Sequence, residues 1–138
     1  MEIPFMRLDR QYETLRNEFL DATDKVLTHG RVLQGLEVQQ LETDLANLFN
    51  LKYVSTVNSG TDALIFALKS LGLSSGSKIA VTSLSFVASA SAIVNAGFIP
   101  VFIDIDNYYQ SDINIIVDMI KEKEIDAIIA VHLYGQMM

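Results

Sequence analysis

One short segment, Asn58 to Leu64, has the residue types of an anion-binding turn. It reads Asn-Ser-Gly-Thr-Asp-Ala-Leu and joins a β-rich run to a helical pattern. The first N–H groups of a helix have no intrahelical acceptor, so they can bind a phosphate together with the hydroxyl of Thr61. The same residue types also favour an ordinary helix cap. Gly60 and Thr61 are therefore candidate anion ligands, with a plain cap as the alternative.

A second segment places an aromatic ring beside hydroxyl groups, just after a predicted strand. Phe86 directly follows Thr82-Ser83-Leu84-Ser85. Ligands of open α/β sheets collect at the carboxyl ends of the strands, so a flat ring there can stack on a planar cofactor. Taken alone, a single aromatic residue is more often part of the core, and this segment by itself favours that interpretation.

Two further strand ends carry polar groups with a weaker indication of function. Asp104 and Asp106 can supply a carboxylate to a ligand or cap the turn that follows. The segment from His132 to Gln136 puts a histidine, a phenol and an amide at one strand end, where Tyr134 and Gln136 can approach a substrate. Because cysteine is absent and His29 is distant in sequence, a structural histidine is favoured over a metal ligand, and no metal site is predicted.

Hydrophobic periodicity shows which elements must position these groups. After Asp9, a candidate N-cap, apolar residues at steps of three and four predict a helix that ends near Gly30, and a second helix follows Gly35 and stops near Asn50. Predicted strands and helices then alternate. The strands are Tyr53 to Val57, Lys78 to Thr82, Pro100 to Ile105 and Ile125 to His132; the helices are Thr61 to Leu71, Ser85 to Ala96 and Asp112 to Lys123.

This alternation predicts an α/β fold with a mostly parallel sheet and helices on both faces, preceded by two helices. We expect residues 1–138 to form a single incomplete α/β domain, with a helical segment over 1–50 and the sheet over 51–138. The last predicted strand is almost continuously apolar, and no later segment of the chain can cover it. The pattern therefore indicates part of a larger fold.

Composition excludes several classes of protein. Ten basic against seventeen acidic residues give a net charge of −7, which disfavours binding to nucleic acids and to anionic membranes. The absence of cysteine fits a cytoplasmic protein. Residues 79–103 lack charge and are long enough to cross a bilayer, but their serines, with Gly97 and Pro100, favour strand, helix and strand instead. We expect no membrane association.

The segments described above occur in an order that is specific, although each is weak alone. The matching segments are 3–5, 30–35, 58–64, 86–88, 97–106 and 131–136. In this order the chain resembles the N-terminal part of the DegT/StrS family of sugar aminotransferases, which are pyridoxal-phosphate enzymes of the aspartate-aminotransferase fold, also called fold type I. Residues 51–138 would then begin the large domain that binds the cofactor.

The resemblance implies specific roles for three residues. Gly60 and Thr61 would hold the phosphate of pyridoxal 5'-phosphate, and Phe86 would stack against its pyridine ring. Both roles agree with the physical interpretation of the two segments, because phosphate suits a helix N-terminus and the ring suits an aromatic at a strand end.

The resemblance also implies an activity and partners. The family transfers an amino group, usually from glutamate, to a keto group of a nucleotide-linked sugar, for lipopolysaccharide and other glycans, and its members work as homodimers. Its Schiff-base lysine and the aspartate that pairs with the pyridinium nitrogen would fall beyond Met138. We therefore expect no catalytic residue in this chain and no activity from the chain alone.

Three alternatives stay open. Within the same family, some relatives are sugar dehydratases, and others are non-catalytic regulators. Outside the family, the chain would be a stand-alone α/β module that binds an anion. The residue at the lysine position would separate the first of these from an aminotransferase.

Overall fold

A computed structural model describes residues 3–138 and shows two compact units, which meet in sequence between Thr56 and Val57. The first unit contains two helices, α1 over Leu8–His29 and α2 over Leu36–Leu48. Of the resembling segments, 3–5 lies in the irregular chain before α1.

Helix α1 ends as predicted but begins differently. Gly30 adopts a left-handed φ of 70°, and its N–H donates to the carbonyl of Val26 at 3.0 Å. Asp9 is not the N-cap, because the helix begins at Leu8, after Arg7. Instead the Arg7 guanidinium donates to the Asp9 carboxylate and holds the pKa of that carboxyl below its ordinary value.

The strand predicted over Tyr53 to Val57 is wrong, since residues 53–57 form no ladder. A strand requires a neighbour that accepts and donates along its edge. Here a side chain of α2 takes that place: Glu42 Oε1 accepts from the N–H of Thr56 at 2.8 Å and from its hydroxyl at 2.9 Å.

The second unit contains the sheet. Its elements are α3 (Gly60–Ser70), β1 (Lys78–Thr82), α4 (Ala88–Asn95), β2 (Ile99–Ile103), α5 (Ile113–Lys121), β3 (Ala127–Ile129) and a 3-10 turn (Leu133–Gly135). All three strands are parallel, in the order β2-β1-β3. The parallel sheet is therefore confirmed, although β3 is shorter than predicted because it pairs with β1 over only three residues.

Both faces of the central strand are covered by helices, which confirms the predicted layers. Ile79 and Val81 pack in a cluster that includes Ile93 of α4 and residues of α3. Ala80 points the opposite way and packs with Ile116 of α5. Burial on both faces explains why β1 is almost entirely apolar.

The uncharged stretch over residues 79–103 folds as β1, α4 and β2, as predicted. Helix α4 begins at Ala88 instead of Ser85, and α5 ends at Lys121 instead of Lys123. Among residues 3–138, no helix is both long and apolar enough to span a membrane.

Candidate functional site

The order of helices and strands indicates where the N-termini of α3 and α4 lie relative to the sheet. Helix α3 leads through a short connection into the start of β1, so it runs antiparallel to that strand and begins at the opposite edge. Helix α4 follows β1, so it begins at that same carboxyl edge. The two helices pack against each other. From this order of elements we expect the segments that contain Gly60 and Phe86 to lie at the same edge of the sheet.

The N-terminus of α3 is capped by Ser59, which satisfies the third N–H group of the helix. Its hydroxyl accepts from the N–H of Asp62 at 3.1 Å and also lies 3.1 Å from the Asp62 carboxylate. The N–H of Ala63 donates to the Ser59 carbonyl at 3.0 Å. Among residues 3–138 no acceptor is found for the N–H groups of Gly60 and Thr61. The capping interpretation is correct, and two donors remain for a ligand.

Gly60 lies beside open space at the start of α3. A Cβ built on this glycine meets no atom within 4 Å, and its backbone does not require a left-handed conformation. Neither packing nor backbone strain therefore demands glycine here. The Thr61 hydroxyl is half-buried at the same helix start. Open space beside two unpaired N–H donors is what a helix-bound phosphate needs.

The loop between β1 and α4 is fixed by short hydrogen bonds and presents Phe86 outward. The buried Thr82 hydroxyl accepts from the N–H of Leu84 at 3.3 Å, and the hydroxyls of Ser85 and Ser89 lie 2.7 Å apart. The Phe86 side chain is 76 % exposed, so its assignment to the core of this chain is wrong. An exposed ring on a fixed loop is available for stacking.

The two aspartates after β2 act as local caps. Asp106 Oδ1 accepts from the N–H groups of Tyr108 at 2.8 Å and Gln110 at 3.0 Å. Asp104 Oδ1 accepts from the N–H of Ile105 at 2.8 Å. Of the two interpretations open for this segment, turn capping is the one the structure supports.

The segment after β3 contains a feature that sequence reasoning missed. Tyr134 has a left-handed backbone with φ 58°, which nothing in a tyrosine side chain predicts. His132 is exposed, and its Nδ1 accepts from the N–H of Met138 at 3.1 Å. Within the part of the chain that the structure describes, no group of three candidate metal ligands is found.

A second overlooked motif lies at the wrong edge for catalysis. Gly72 to Gly76 reads G-L-S-S-G, which matches the G-x-S-x-G pattern of hydrolases. That pattern needs a turn from a strand into a helix, whereas this segment runs from α3 into β1. The N–H of Gly76 donates to the carbonyl of Gly97 at 3.0 Å. This bond ties the segment before β1 to the turn before β2, at the amino edge of the sheet.

The first unit has concave surfaces of its own, of about 410 Å³ and 520 Å³. Residues of α2 and of the segment 51–54 line one of them, and residues of α1 with Val32 and Glu37 line the other. Neither includes Gly60, Thr61 or Phe86. The candidate ligand residues therefore lie outside these two concave surfaces.

The chain is similar to known proteins over nearly its whole length. The chain is 36 % identical over 137 residues to a pleiotropic regulatory protein of Geobacillus stearothermophilus, covering 99 % of this chain and 37 % of that protein. It is 32 % identical to a UDP-N-acetyl-3-dehydro-alpha-D-glucosamine 3-aminotransferase of Acidithiobacillus ferrooxidans, covering 96 % and 36 %. The chain thus spans little more than a third of the length of these relatives.

A solved structure shows the same fold. NtdA of Bacillus subtilis, with the bound cofactor PMP, superposes with a TM-score of 0.84 at 30 % identity, covering 97 % of this chain and 31 % of that one. Residues 13–138 match the model of the DegT/DnrJ/EryC1/StrS aminotransferase family. From the sheet, the ordered segments and this match over most of its length, we conclude that the chain belongs to the DegT/DnrJ/EryC1/StrS aminotransferase family.

Proposed function

We propose that this chain is the N-terminal part of a pyridoxal-phosphate-dependent enzyme that transfers an amino group from glutamate to a keto group of a nucleotide-linked sugar. The observation that carries the proposal is the start of α3, where two N–H donors lie beside open space at Gly60. The sugar aminotransferase among the relatives supports the reaction class, and NtdA supports the cofactor.

Pyridoxal phosphate, when bound, supplies the electron sink that lets an amino group move between carbon skeletons. This chain's part is to bind and orient it. The N–H groups of Gly60 and Thr61 donate to the phosphate, and the positive end of the α3 dipole attracts it in a chain whose net charge is −7. Phe86 contacts the ring and keeps water from that face.

In the second unit, Lys69 and Lys121 lie in the last turns of α3 and α5, away from the N-terminus of α3. Lys78 begins β1, at the amino edge. The Lys52 ammonium lies 5.1 Å from the centre of the Tyr53 ring in the first unit. We therefore propose that the lysine linked to the cofactor lies outside residues 1–138, and that the chain alone does not transaminate.

A mass spectrum tests this proposal directly. The protein expressed from the complete reading frame is reduced with borohydride, which fixes any lysine-linked cofactor, and its intact mass and peptides are measured. We expect one adduct on a peptide outside residues 1–138. A protein that forms no adduct, even with excess pyridoxal phosphate, contradicts the proposal.

Two matched substitutions test the assigned residues in the same protein. Gly60→Val fills the open space at the start of α3, and Phe86→Ala removes the exposed ring. Each should weaken cofactor binding about tenfold or more, which corresponds to one good contact. Phe66→Ala is the control, because Phe66 is exposed on α3 but lies in the middle of that helix. Equal effects of Phe66→Ala and Phe86→Ala would contradict the assignment.

A regulatory role is a second candidate, and the Geobacillus relative favours it. A regulator of this family would bind the cofactor without moving an amino group. Glutamate added to the cofactor-loaded protein separates the two, because an aminotransferase converts the bound pyridoxal spectrum to that of its amine form and a regulator does not. The resemblance further implies a homodimer in the cytoplasm, and sedimentation of the complete protein tests its assembly.

A further inference from the structure

A strained tyrosine turn follows β3, the strand that pairs with β1. Tyr134 has φ 58° and ψ 21°, and Gly135 follows it with φ 77°. Left-handed backbone is unfavourable for a residue with a bulky side chain, so it persists only where the surroundings fix it. Tyr134 is 84 % exposed, so packing of its side chain does not offset the backbone strain. Tyr109, in the loop after β2, is also exposed and left-handed, so these two features alone do not distinguish Tyr134; the hydrogen bonds and position of its turn do.

Hydrogen bonds fix this turn on several sides. The carbonyl of Leu133 accepts from the N–H of Gln136 at 3.1 Å and from Gln110 Nε2 at 3.3 Å. The carbonyl of His132 accepts from the N–H of Gly135 at 3.2 Å. The turn is therefore held from within and also by a side chain from another loop.

The burial of the Gln110 side chain, which holds this turn, destabilises the fold. The side chain is 5 % exposed, and its Oε1 has no hydrogen-bond partner among residues 3–138. A buried amide with an unsatisfied acceptor destabilises the fold relative to an apolar residue of similar size. The bond from its Nε2 also ties the loop after β2 to the turn after β3, although β1 lies between these strands. The amide therefore serves to place the turn.

The sheet puts this turn next to the segment that contains Phe86. Strand β3 is the neighbour of β1, and adjacent strands lie about 4.8 Å apart. Phe86 and Tyr134 each follow one of these two strands, at the carboxyl edge where α/β sheets bind ligands. Tyr134 is thus an exposed ring at the edge of the candidate site.

From this arrangement we infer that Tyr134 contacts the sugar substrate, and that Gln110 is a positioning residue that acts through Tyr134. The inference rests on the proposed function. The phenol ring offers an apolar face to the C–H face of a sugar ring and a hydroxyl for hydrogen bonding to its polar edge. It is a rigid contact with few rotatable bonds, and the clamped turn fixes it before the ligand arrives.

The test uses the cofactor-loaded protein from the complete reading frame. UDP-N-acetylglucosamine, dTDP-glucose and GDP-mannose are the probes, and the Kd is measured for whichever the unaltered protein binds most tightly. Tyr134→Ala should raise this Kd about tenfold or more, while the rate at which glutamate converts the bound cofactor stays within about twofold. Gln110→Leu, which keeps the volume and removes the amide, should also raise the Kd with little change in that rate.

A double-mutant cycle decides whether Gln110 acts through Tyr134. Gln110→Leu introduced into the Tyr134→Ala protein should raise the Kd no further, because the ring it positions is already absent. If the double variant raises the Kd by the product of the two single effects, Gln110 has a separate structural role, and that part of the inference is overturned. Ser111→Ala is the matched control, since Ser111 is equally buried in the same loop but donates nothing to the turn. It should leave the Kd unchanged.

A second variant, Tyr134→Gly, tests whether a loss of affinity comes from misfolding. Glycine adopts the left-handed backbone without strain, so this variant should unfold at no lower temperature than the unaltered protein while losing affinity for the nucleotide sugar. Tyr109→Ala is its control, because Tyr109 is also exposed with φ 65° but lies after β2.

Three results would overturn the inference. One is a Kd within twofold of the original in Tyr134→Ala, and another is an equal loss in Tyr109→Ala. The third is no binding of any probe by unaltered protein that carries the lysine-linked cofactor. That last result would leave the cofactor assignment standing and remove the nucleotide-sugar substrate. If the unaltered protein forms no lysine-linked cofactor adduct, the result contradicts the proposed function itself.

Discussion

The two units of the chain differ most in what their apolar residues do. Every buried hydrophobic residue of the described chain lies between Leu68 and Ile129, in the second unit. Helix α1 has an apolar stripe with regular spacing, yet none of its residues is buried. Phe19 and Leu27 on this helix are 52 % and 65 % exposed. A periodic pattern therefore determines that a helix forms one apolar face, but burial depends on the elements that cover that face.

The largest expected effect is a loss of stability from a cavity in the core of the second unit. Ile93→Ala should destabilise the protein by about 2–5 kcal/mol, because Ile93 is fully buried between α3 and the sheet and its loss leaves a cavity. Leu27→Ala in α1 should cost less than about 1 kcal/mol, because the side chain is mostly in water already. Urea unfolding of both variants measures the difference.

An equal loss of stability in the two variants would contradict this comparison. It would show that α1 is covered in solution, for example by another part of a longer protein. Leu71→Ala gives a control from the second unit, since Leu71 is also exposed there and should behave like Leu27.

The next effect is on local opening. Backbone N–H groups of β1 and α4 should exchange with deuterium at least a hundredfold more slowly than those of α1, because opening β1 breaks a buried sheet while opening α1 exposes little apolar surface. Hydrogen exchange followed by mass spectrometry resolves these segments. Similar protection in α1 and β1 would mean that the two units open together.

The types of the elements in both units were largely predictable from the sequence, because they depend on local patterns. Alternation of strands and helices predicted the parallel sheet, and glycines at helix ends predicted where α1 stops. The strand expected over Tyr53 to Val57 failed because β-propensity does not supply a neighbouring strand. Here Glu42 satisfies Thr56 instead, and a contact over fourteen residues leaves no pattern in a single sequence.

The candidate site also includes some residues that the sequence could indicate and others that it could not. The resemblance to the family predicted roles for Gly60, Thr61 and Phe86, and the residue preferences of helix starts and strand ends agree with those roles. Tyr134 was predicted only to approach a substrate and Gln110 was given no role, because a left-handed backbone at tyrosine and a side-chain bond between two loops depend on tertiary structure. The exposure of Phe86 also could not be predicted, since an aromatic after a strand is equally compatible with burial.

A smaller effect concerns the cap that shapes the start of α3. Ser59→Ala should destabilise the second unit by about 1 kcal/mol, because the N–H of Asp62 loses its acceptor, whereas Ser59→Gly should cost only a few tenths. Ser70→Ala is the control, since the Ser70 hydroxyl bonds to the carbonyl of Ala67 at the other end of the helix. Thermal unfolding measures all three. Equal losses in Ser59→Ala and Ser70→Ala would contradict a specific cap.

The smallest effect is a pH dependence confined to the first unit. Hydrogen bonds from the N–H and hydroxyl of Thr56 hold the pKa of the Glu42 carboxyl below its ordinary value of 4.5. A lowered pKa means that the ionised form favours the folded state, so this contribution is complete above about pH 4.5 and is lost as the pH falls through the folded pKa. The side chain is partly in water, so the gain is modest. The Thr56 amide resonance should therefore shift with the Glu42 titration, and Glu42→Gln should abolish that shift while amides of β1 stay unchanged. A Thr56 amide that titrates identically in Glu42→Gln would mean that another group holds this segment against α2.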